Sequence, residues 1–296
     1  MTESSMTLRF DVVDVFADRP FAGNPLAVVH GADALDTDRL QAIAREFNLS
    51  ETVFPLPPTV EGASYRARIF TPAEELPFAG HPSVGVAWVL ARDGVIPAGD
   101  AVQECGAGLL PVRVDAAGAR IGGGPASVGP VLEAGGLARA VGLRDEDVDP
   151  VAEAGVAGAG LEFVFLLVRD EAVARAVVPE VGALRAATGG RGLVAVVSLD
   201  LGEGRVHARV FGPGSGVPED PATGSAAVAL AVFLVDRGLL PVDGESAFTV
   251  YQGAEMHRPS RLEVEVRAEG GTAVSTSVGG RVVAVSSGQI AVPPAG

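Results

Sequence analysis

The chain has 296 residues, 48% apolar and 20% charged, which is the composition of a globular protein long enough for two domains of ordinary size. Acidic residues outnumber basic ones 37 to 22, a net charge of −15, and this excludes a generic attraction to nucleic acid phosphates or anionic membranes. Every basic residue is arginine and the single cysteine is Cys105, so a Schiff-base or P-loop lysine, an internal disulfide, a multi-thiolate zinc site and a two-thiol mechanism are all excluded.

The first ten residues lack a basic start followed by an apolar run, so no signal peptide is expected. The longest apolar run, 226–235, falls well short of the roughly 20 residues of a spanning helix, and a cytoplasmic protein without membrane contact is the expectation. In chain order, β-branched or alternating segments predict strands over 10–16, 26–29, 52–56, 65–70 and 110–114. In the second half they fall at 162–168, 192–198, 205–211, 248–251, 261–266 and 281–285. A conventional helix is predicted over 37–47 and a weaker one around 179–188. Two further segments, 83–91 and 226–235, are helical by length and alanine content but have no polar face. A helix that is apolar all round has to be buried all round, so each needs a wall of strands enclosing it. The sum is α+β, mostly strands, with one buried helix per half. The Gly- and Pro-rich stretch 116–131 reads as the crossing between the halves.

Two halves are expected because 68–97 and 209–241 repeat one another. Arg68 matches Arg209, Phe70 matches Phe211, Pro72 matches Pro213 and Pro77 matches Pro218. After three extra residues in the second copy, Gly80 matches Gly224, and the alignment then runs through Leu90 with Leu234 and Gly94 with Gly238 to Pro97 with Pro241. Both apolar helices open on a Gly-polar pair, Gly80-His81 and Gly224-Ser225. The first N–H groups of a helix are unpaired and carry partial positive charge. Two such ends related by a duplication are expected to face one cleft and to bind a carboxylate or oxyanion without lysine. Candidate acids and bases lie nearby in sequence: Glu51 at a helix–strand junction, Asp220 just ahead of the second helix, and His81 opening the first. Spacing alone leaves each a plainer role: Glu51 solvated after a helix, Asp220 facing the helix dipole, His81 as a cap.

These residues sit in stretches that resemble the PhzF family, whose fold is shared with diaminopimelate epimerase. The stretches are Asp14-Val15-Phe16 with Phe21-Ala22-Gly23-Asn24-Pro25-Leu26-Ala27-Val28, then Asn48-Leu49-Ser50-Glu51-Thr52-Val53-Phe54. Arg68-Ile69-Phe70-Thr71-Pro72, Phe78-Ala79-Gly80-His81-Pro82, Glu219-Asp220-Pro221-Ala222-Thr223-Gly224-Ser225-Ala226 and Tyr251-Gln252-Gly253-Ala254-Glu255-Met256 follow in the same order. The resemblance implies two pseudo-symmetric domains, each a β-barrel around a central buried helix. The first is expected over 1–118 with 283–296 returning to it, the second over 119–282, with the active site in the cleft between them. It implies Glu51 as the main acid/base moving a proton between substrate carbons, with His81 and Asp220 as catalytic partners. Ser50, Gly80, Gly224 and Ser225 are implied to bind the substrate, a small carboxylate-bearing molecule. No metal, nucleotide or flavin cofactor is implied, and a homodimer is expected. Cys105 reads as a small packed residue rather than a nucleophile. His257 stands where many relatives are expected to have Gly. The activity expected is therefore that of a cofactor-independent isomerase; the alternative is a non-catalytic small-molecule-binding protein that keeps the fold.

Overall fold

The computed structural model of the chain describes residues 6–212 and 218–294. By contacts the chain divides into two units, Met1–Ile121 with Gly279–Gly296, and Gly122–Val278. Each is an α+β barrel with a helix inside.

The first unit contains β1 (Thr7–Val15), β2 (Asn24–Val29), α1 (Thr37–Phe47), β3 (Glu51–Leu56), β4 (Tyr65–Phe70), β5 (Glu75–Leu76), α2 (Gly80–Arg92), β6 (Gly99–Cys105), β7 (Gly108–Val114) and β8 (Gly118–Gly122). β1 and β2 pair antiparallel, β2 and β3 parallel, β3 and β4 antiparallel, β4 and β6 parallel, and β6, β7 and β8 antiparallel in turn. β8 pairs with the long β17 (Thr272–Ala291), whose last part pairs antiparallel with β1 from Val15↔Val282 to Thr7↔Ala291, and this closes the ring. Inside it, α2 buries Val84, Val86, Val89 and Leu90. Each side chain so buried stabilises by about 1.5–3 kcal/mol. On the outside, α1 is amphipathic and sets Leu40, Ile43 and Ala44 against Phe54 and Phe70.

The second unit contains β9 (Ala126–Val131), α3 (Ala134–Ala140), β10 (Gly155–Ala159), β11 (Glu162–Val168), α4 (Glu171–Arg175), α5 (Val181–Ala187), β12 (Val194–Asp200), β13 (Arg205–Phe211), β14 (Glu219–Asp220), α6 (Gly224–Asp236), β15 (Gly244–Gln252) and β16 (Ser260–Glu269), with the start of β17. Its pairing repeats the first unit's: β9–β10 and β10–β11 antiparallel, β11–β12 parallel, β12–β13 antiparallel, β13–β15 parallel, β15–β16 antiparallel. Here α6 lies inside, with Ala226 to Val235 all buried.

The duplication extends further than the sequence match. Thr52 pairs with Phe70 and Val194 with Phe211; Arg66 pairs with Glu104 and His207 with Tyr251. β6 therefore corresponds to β15, with Cys105-Gly106 matching Gln252-Gly253. The position of the three extra residues is corrected. Glu75 pairs with Phe70 as Glu219 pairs with Phe211, so Glu75 matches Glu219 and Pro77 matches Pro221, not Pro218. The insertion lies before β14, where proline identity misaligned the copies; the Pro213 match falls outside the described residues. A Cβ on Gly106 would sit 2.8 Å from Pro77 Cα, and one on Gly253 2.4 Å from the Pro221 carbonyl oxygen, the same close approach in both copies.

Two further readings change. The 116–131 stretch contains the boundary between the units, after Ile121, and in addition holds β8 and β9. Its glycine content reflects close backbone packing, since a Cβ on Gly118 would lie 1.9 Å from the Gly280 carbonyl oxygen. The small-residue strand β10, buried throughout, gives no alternation to read.

Candidate active site

Three chain segments bring Glu51 and His81 together within the first unit. The helix α1 ends on Asn48, left-handed at φ 51°, whose N–H donates to the Ala44 carbonyl; asparagine tolerates that conformation and turns the chain through Leu49-Ser50 into β3. Glu51 is the first residue of β3 and pairs with Leu26 on parallel β2. His81 is the second residue of α2. Its Nε2 lies 3.4 Å from Glu51 Oε2, with the two side chains 6% and 17% exposed. The Pro25 carbonyl, at the start of β2, accepts a hydrogen bond from the imidazole. Burial is the larger influence and pushes the His81 pKa down to about 3, so the ring is neutral across the physiological range. Gly80 opens α2 and is buried, and Ser50, half-buried, directly precedes Glu51.

The matching place in the second unit carries different groups. Register places Leu193 where the first unit has Glu51, and Ser225 where it has His81. Polar groups appear instead at Asp220 and Thr223, where the first unit has Leu76 and Ala79. Thr223 is the N-cap residue of α6, yet no side chain caps that helix; its Oγ1 donates to Asp220 Oδ2 at 2.6 Å instead. Gln252 Nε2 donates to the Asp220 carbonyl at 2.7 Å and to Thr223 Oγ1 at 3.0 Å, and its Oε1 accepts from the Thr223 N–H at 3.2 Å. Gly224 and Ser225 form the first turn of α6. The start of α2, at Ala79, also lacks a side-chain cap. Both first turns thus keep their amide dipoles for another acceptor.

The loop ahead of each helix is pinned by the same clamp. Arg68 grips Glu75 through Nε at 2.7 Å and Nη2 at 2.6 Å, and Arg209 grips Glu219 through Nε at 2.8 Å and Nη2 at 2.9 Å. Each guanidinium also lies over the next phenylalanine on its strand face, Phe70 at 5.2 Å and Phe211 at 5.1 Å. The repeat of Arg-x-Phe was visible in the sequence; its partners Glu75 and Glu219 were not. Thr223, Gln252 and Pro25 were likewise quoted in motifs without a role.

Among the described residues, one other cluster has metal-ligand residue types, Asp11, His30 and Asp93. Arg9 and Arg92 occupy it: Arg92 Nη2 lies 3.0 Å from Asp11, Arg92 Nε 2.8 Å from Asp93, and Arg9 also binds Asp93. Two guanidiniums against two carboxylates make an ion-pair network, not a cation site.

A sequence profile of the family described as phenazine biosynthesis-like protein, PhzC-PhzF, matches residues 13–288. An uncharacterized isomerase of Mesorhizobium japonicum is 37% identical, over 96% of this chain and 99% of its own length. The trans-2,3-dihydro-3-hydroxyanthranilate isomerase of Pseudomonas aeruginosa is 33% identical, over 95% of this chain and 98% of its own. The crystal structure of a PhzF-family phenazine biosynthesis protein from Bacillus anthracis matches with a TM-score of 0.88 at 25% identity, covering 96% of this chain and 99% of that one.

Proposed function

The chain belongs to the phenazine biosynthesis-like family and is an isomerase, and from that premise we propose that it moves a proton between two carbons of a small carboxylate-bearing substrate with Glu51 as the acid/base. The observation that carries this is the 3.4 Å approach of Glu51 Oε2 to Nε2 of a buried, neutral His81. A neutral imidazole has one ring proton. With that proton given to the Pro25 carbonyl, the other nitrogen presents a lone pair to Glu51. A carboxyl proton on Oε2 then completes an O–H···N hydrogen bond. Glu51 so takes a proton as a substrate C–H bond breaks, the freed electron pair entering the conjugated system of the substrate, and holds it against His81. It returns that proton to a second carbon, and no atom is gained or lost. The uncapped first turn at Gly80 offers amides to the substrate carboxylate. Ser50, Gly224 and Ser225 are assigned to substrate binding, and Asp220, hydrogen-bonded to Thr223, to holding or relaying a second proton.

The named relative makes trans-2,3-dihydro-3-hydroxyanthranilate the first substrate to try, since it carries a carboxylate and a proton that such a reaction displaces. In heavy water, product from the unaltered enzyme is expected to carry deuterium or turnover to show a solvent isotope effect. Glu51→Gln is expected to lose turnover by about 10²- to 10⁴-fold while folding normally, the usual contribution of a positioned acid/base. An active Glu51→Gln enzyme removes Glu51 from the chemistry.

A further inference from the structure

Beneath the first turn of α2 lies a buried polar chain that the isomerase reading does not use. Tyr65 Oη donates to Gln103 Oε1 at 3.1 Å, Gln103 Nε2 donates to Ser83 Oγ at 2.8 Å, and Ser83 Oγ donates to the Ala79 carbonyl at 2.9 Å. Ser83 and Gln103 are 0% exposed and Tyr65 2%. Burying three polar side chains costs desolvation, and apolar replacements of similar shape are often neutral or better for stability.

The second unit shows what that place looks like without the chain. Register matches Tyr65 with Val206, Gln103 with Val250 and Ser83 with Ala227. There the three matched residues are apolar, and two of them, Ala227 and Val250, line a small cavity together with Phe165, Ala208, Leu230 and Gln252. The barrel closes around α6 regardless, so this fold does not require the polar chain. The helix starts differ in step with it. In α6 the first backbone bond, Ala227 N–H to Thr223 O, is 3.1 Å, and the turn ahead of it is tied by Gln252. In α2 the equivalent Ser83 N–H to Ala79 O bond is stretched to 3.4 Å, and the Ser83 hydroxyl takes over the Ala79 carbonyl. Only in α2 does that turn carry an imidazole, that of His81, directed at Glu51.

Resting on the reading of Glu51 and His81 given above, we infer that Tyr65, Gln103 and Ser83 are positioning residues that fix the Ala79-Gly80-His81 turn, so that the His81 ring keeps one tautomer and one orientation toward Glu51. None of the three acts on substrate; each acts through the Ala79 carbonyl. The Tyr65–Gln103–Ser83 chain is retained in the unit that holds the acid/base pair, whereas the other unit ties its turn through Gln252, at the position matching Cys105, and not through the helix residue matching Ser83.

The test is ¹⁵N NMR of the imidazole rings in the full-length protein without ligand, with His81 assigned by its loss in His81→Asn. In the unaltered protein His81 shows two well-separated ring nitrogens, one protonated and one bare. Ser83→Ala and Gln103→Val are expected to move the two signals toward each other or broaden them in a protein that still folds, with the thermal midpoint lowered because each leaves a buried partner unpaired. Ser83→Thr, which keeps the hydroxyl, is expected to restore the separation. Tyr65→Phe, which removes only the outermost link, is expected to give a smaller change and keeps the test open if another variant folds poorly. Unchanged His81 signals in Ser83→Ala and Gln103→Val overturn the inference, and so does a His81 change that appears only together with loss of the fold in all variants. Turnover of Glu51→Gln tests the isomerase reading separately, because the ring spectrum does not depend on any substrate.

Discussion

The two barrels share strand order, pairing sense, register and an internal apolar helix, yet they distribute polar groups in opposite ways. The first puts Glu51 at the start of β3 and His81 in the helix turn, and leaves Leu76 and Ala79 ahead of the helix. The second leaves Leu193 and Ser225 in the former places and puts Asp220 and Thr223 in the latter. What both keep is the frame: the arginine–glutamate clamp, the glycine against a proline and the uncapped helix start. The shared features hold the segment ahead of each helix, and the unshared ones are the polar groups at Glu51, His81, Asp220 and Thr223. Comparing matched positions therefore separates architecture from chemistry within one chain.

The clamp offers the sharpest contrast in stability. Arg209 is 7% exposed and also donates to the Val177 carbonyl at 2.6 Å, so Arg209→Ala leaves Glu219 and that carbonyl without their partner. A loss of about 3–5 kcal/mol is expected, the usual effect of breaking a buried pair. Arg68→Ala breaks the matching pair, whose side chains are 16% and 36% exposed against 9% and 19% for Arg209 and Glu219, and about 1 kcal/mol is expected. Urea titration of both variants decides it; equal losses contradict the difference in burial.

The His81–Ser225 pair differs in titration. The folded pKa of His81 is depressed from 6.5 to about 3 by burial. Above pH 6.5 the ring is neutral in both folded and unfolded chains and contributes no pH dependence. Below it the unfolded chain binds a proton that the folded one refuses. Stability then falls with acid by about 1.4 kcal/mol per pH unit until the pH nears 3. At pH 5, His81→Gln is expected to have lost about 2 kcal/mol less than the unaltered protein relative to pH 7. Parallel curves for the two proteins between pH 7 and 4.5 exclude the buried neutral ring.

Much of this frame was legible because periodicity is a local signal. The strands at 65–70, 162–168 and 205–211 and the helix Thr37–Phe47 appear with the bounds expected. The apolar helices were recognised as interior because neither has a polar face. β10 was missed because Gly155, Ala157 and Gly158 give neither alternation nor β-branching, and β8 and β9 were read as linker for their glycines. The candidate residues could be named from motifs, but their roles only through the resemblance, since spacing alone left each of Glu51, His81 and Asp220 a plainer role. Glu51 and His81 meet only because β2, β3 and α2 begin together, with Pro25 as the third party. Gln103 was invisible because no strand was expected over 99–105; β6 runs there and turns Gln103 inward beside Ala101.

The smallest expected effect comes from the match of Cys105 with Gln252. Gln252 is 2% exposed and ties the Asp220 carbonyl to both the N–H and the hydroxyl of Thr223, so it braces the turn into α6. Gln252→Leu fills similar space but leaves those groups without their partner, and about 1–3 kcal/mol of destabilisation is expected. Cys105 is half-buried, and the turn it adjoins is held instead by Ser83. Cys105→Ser changes one atom beside a turn that does not depend on it, and a shift within roughly 0.5 kcal/mol is expected. Thermal unfolding of the two variants measures both. Were Cys105→Ser to cost as much as Gln252→Leu, the two turns would be braced from the same strand position, and Ser83 would not be the support that replaces Gln252 in the first barrel.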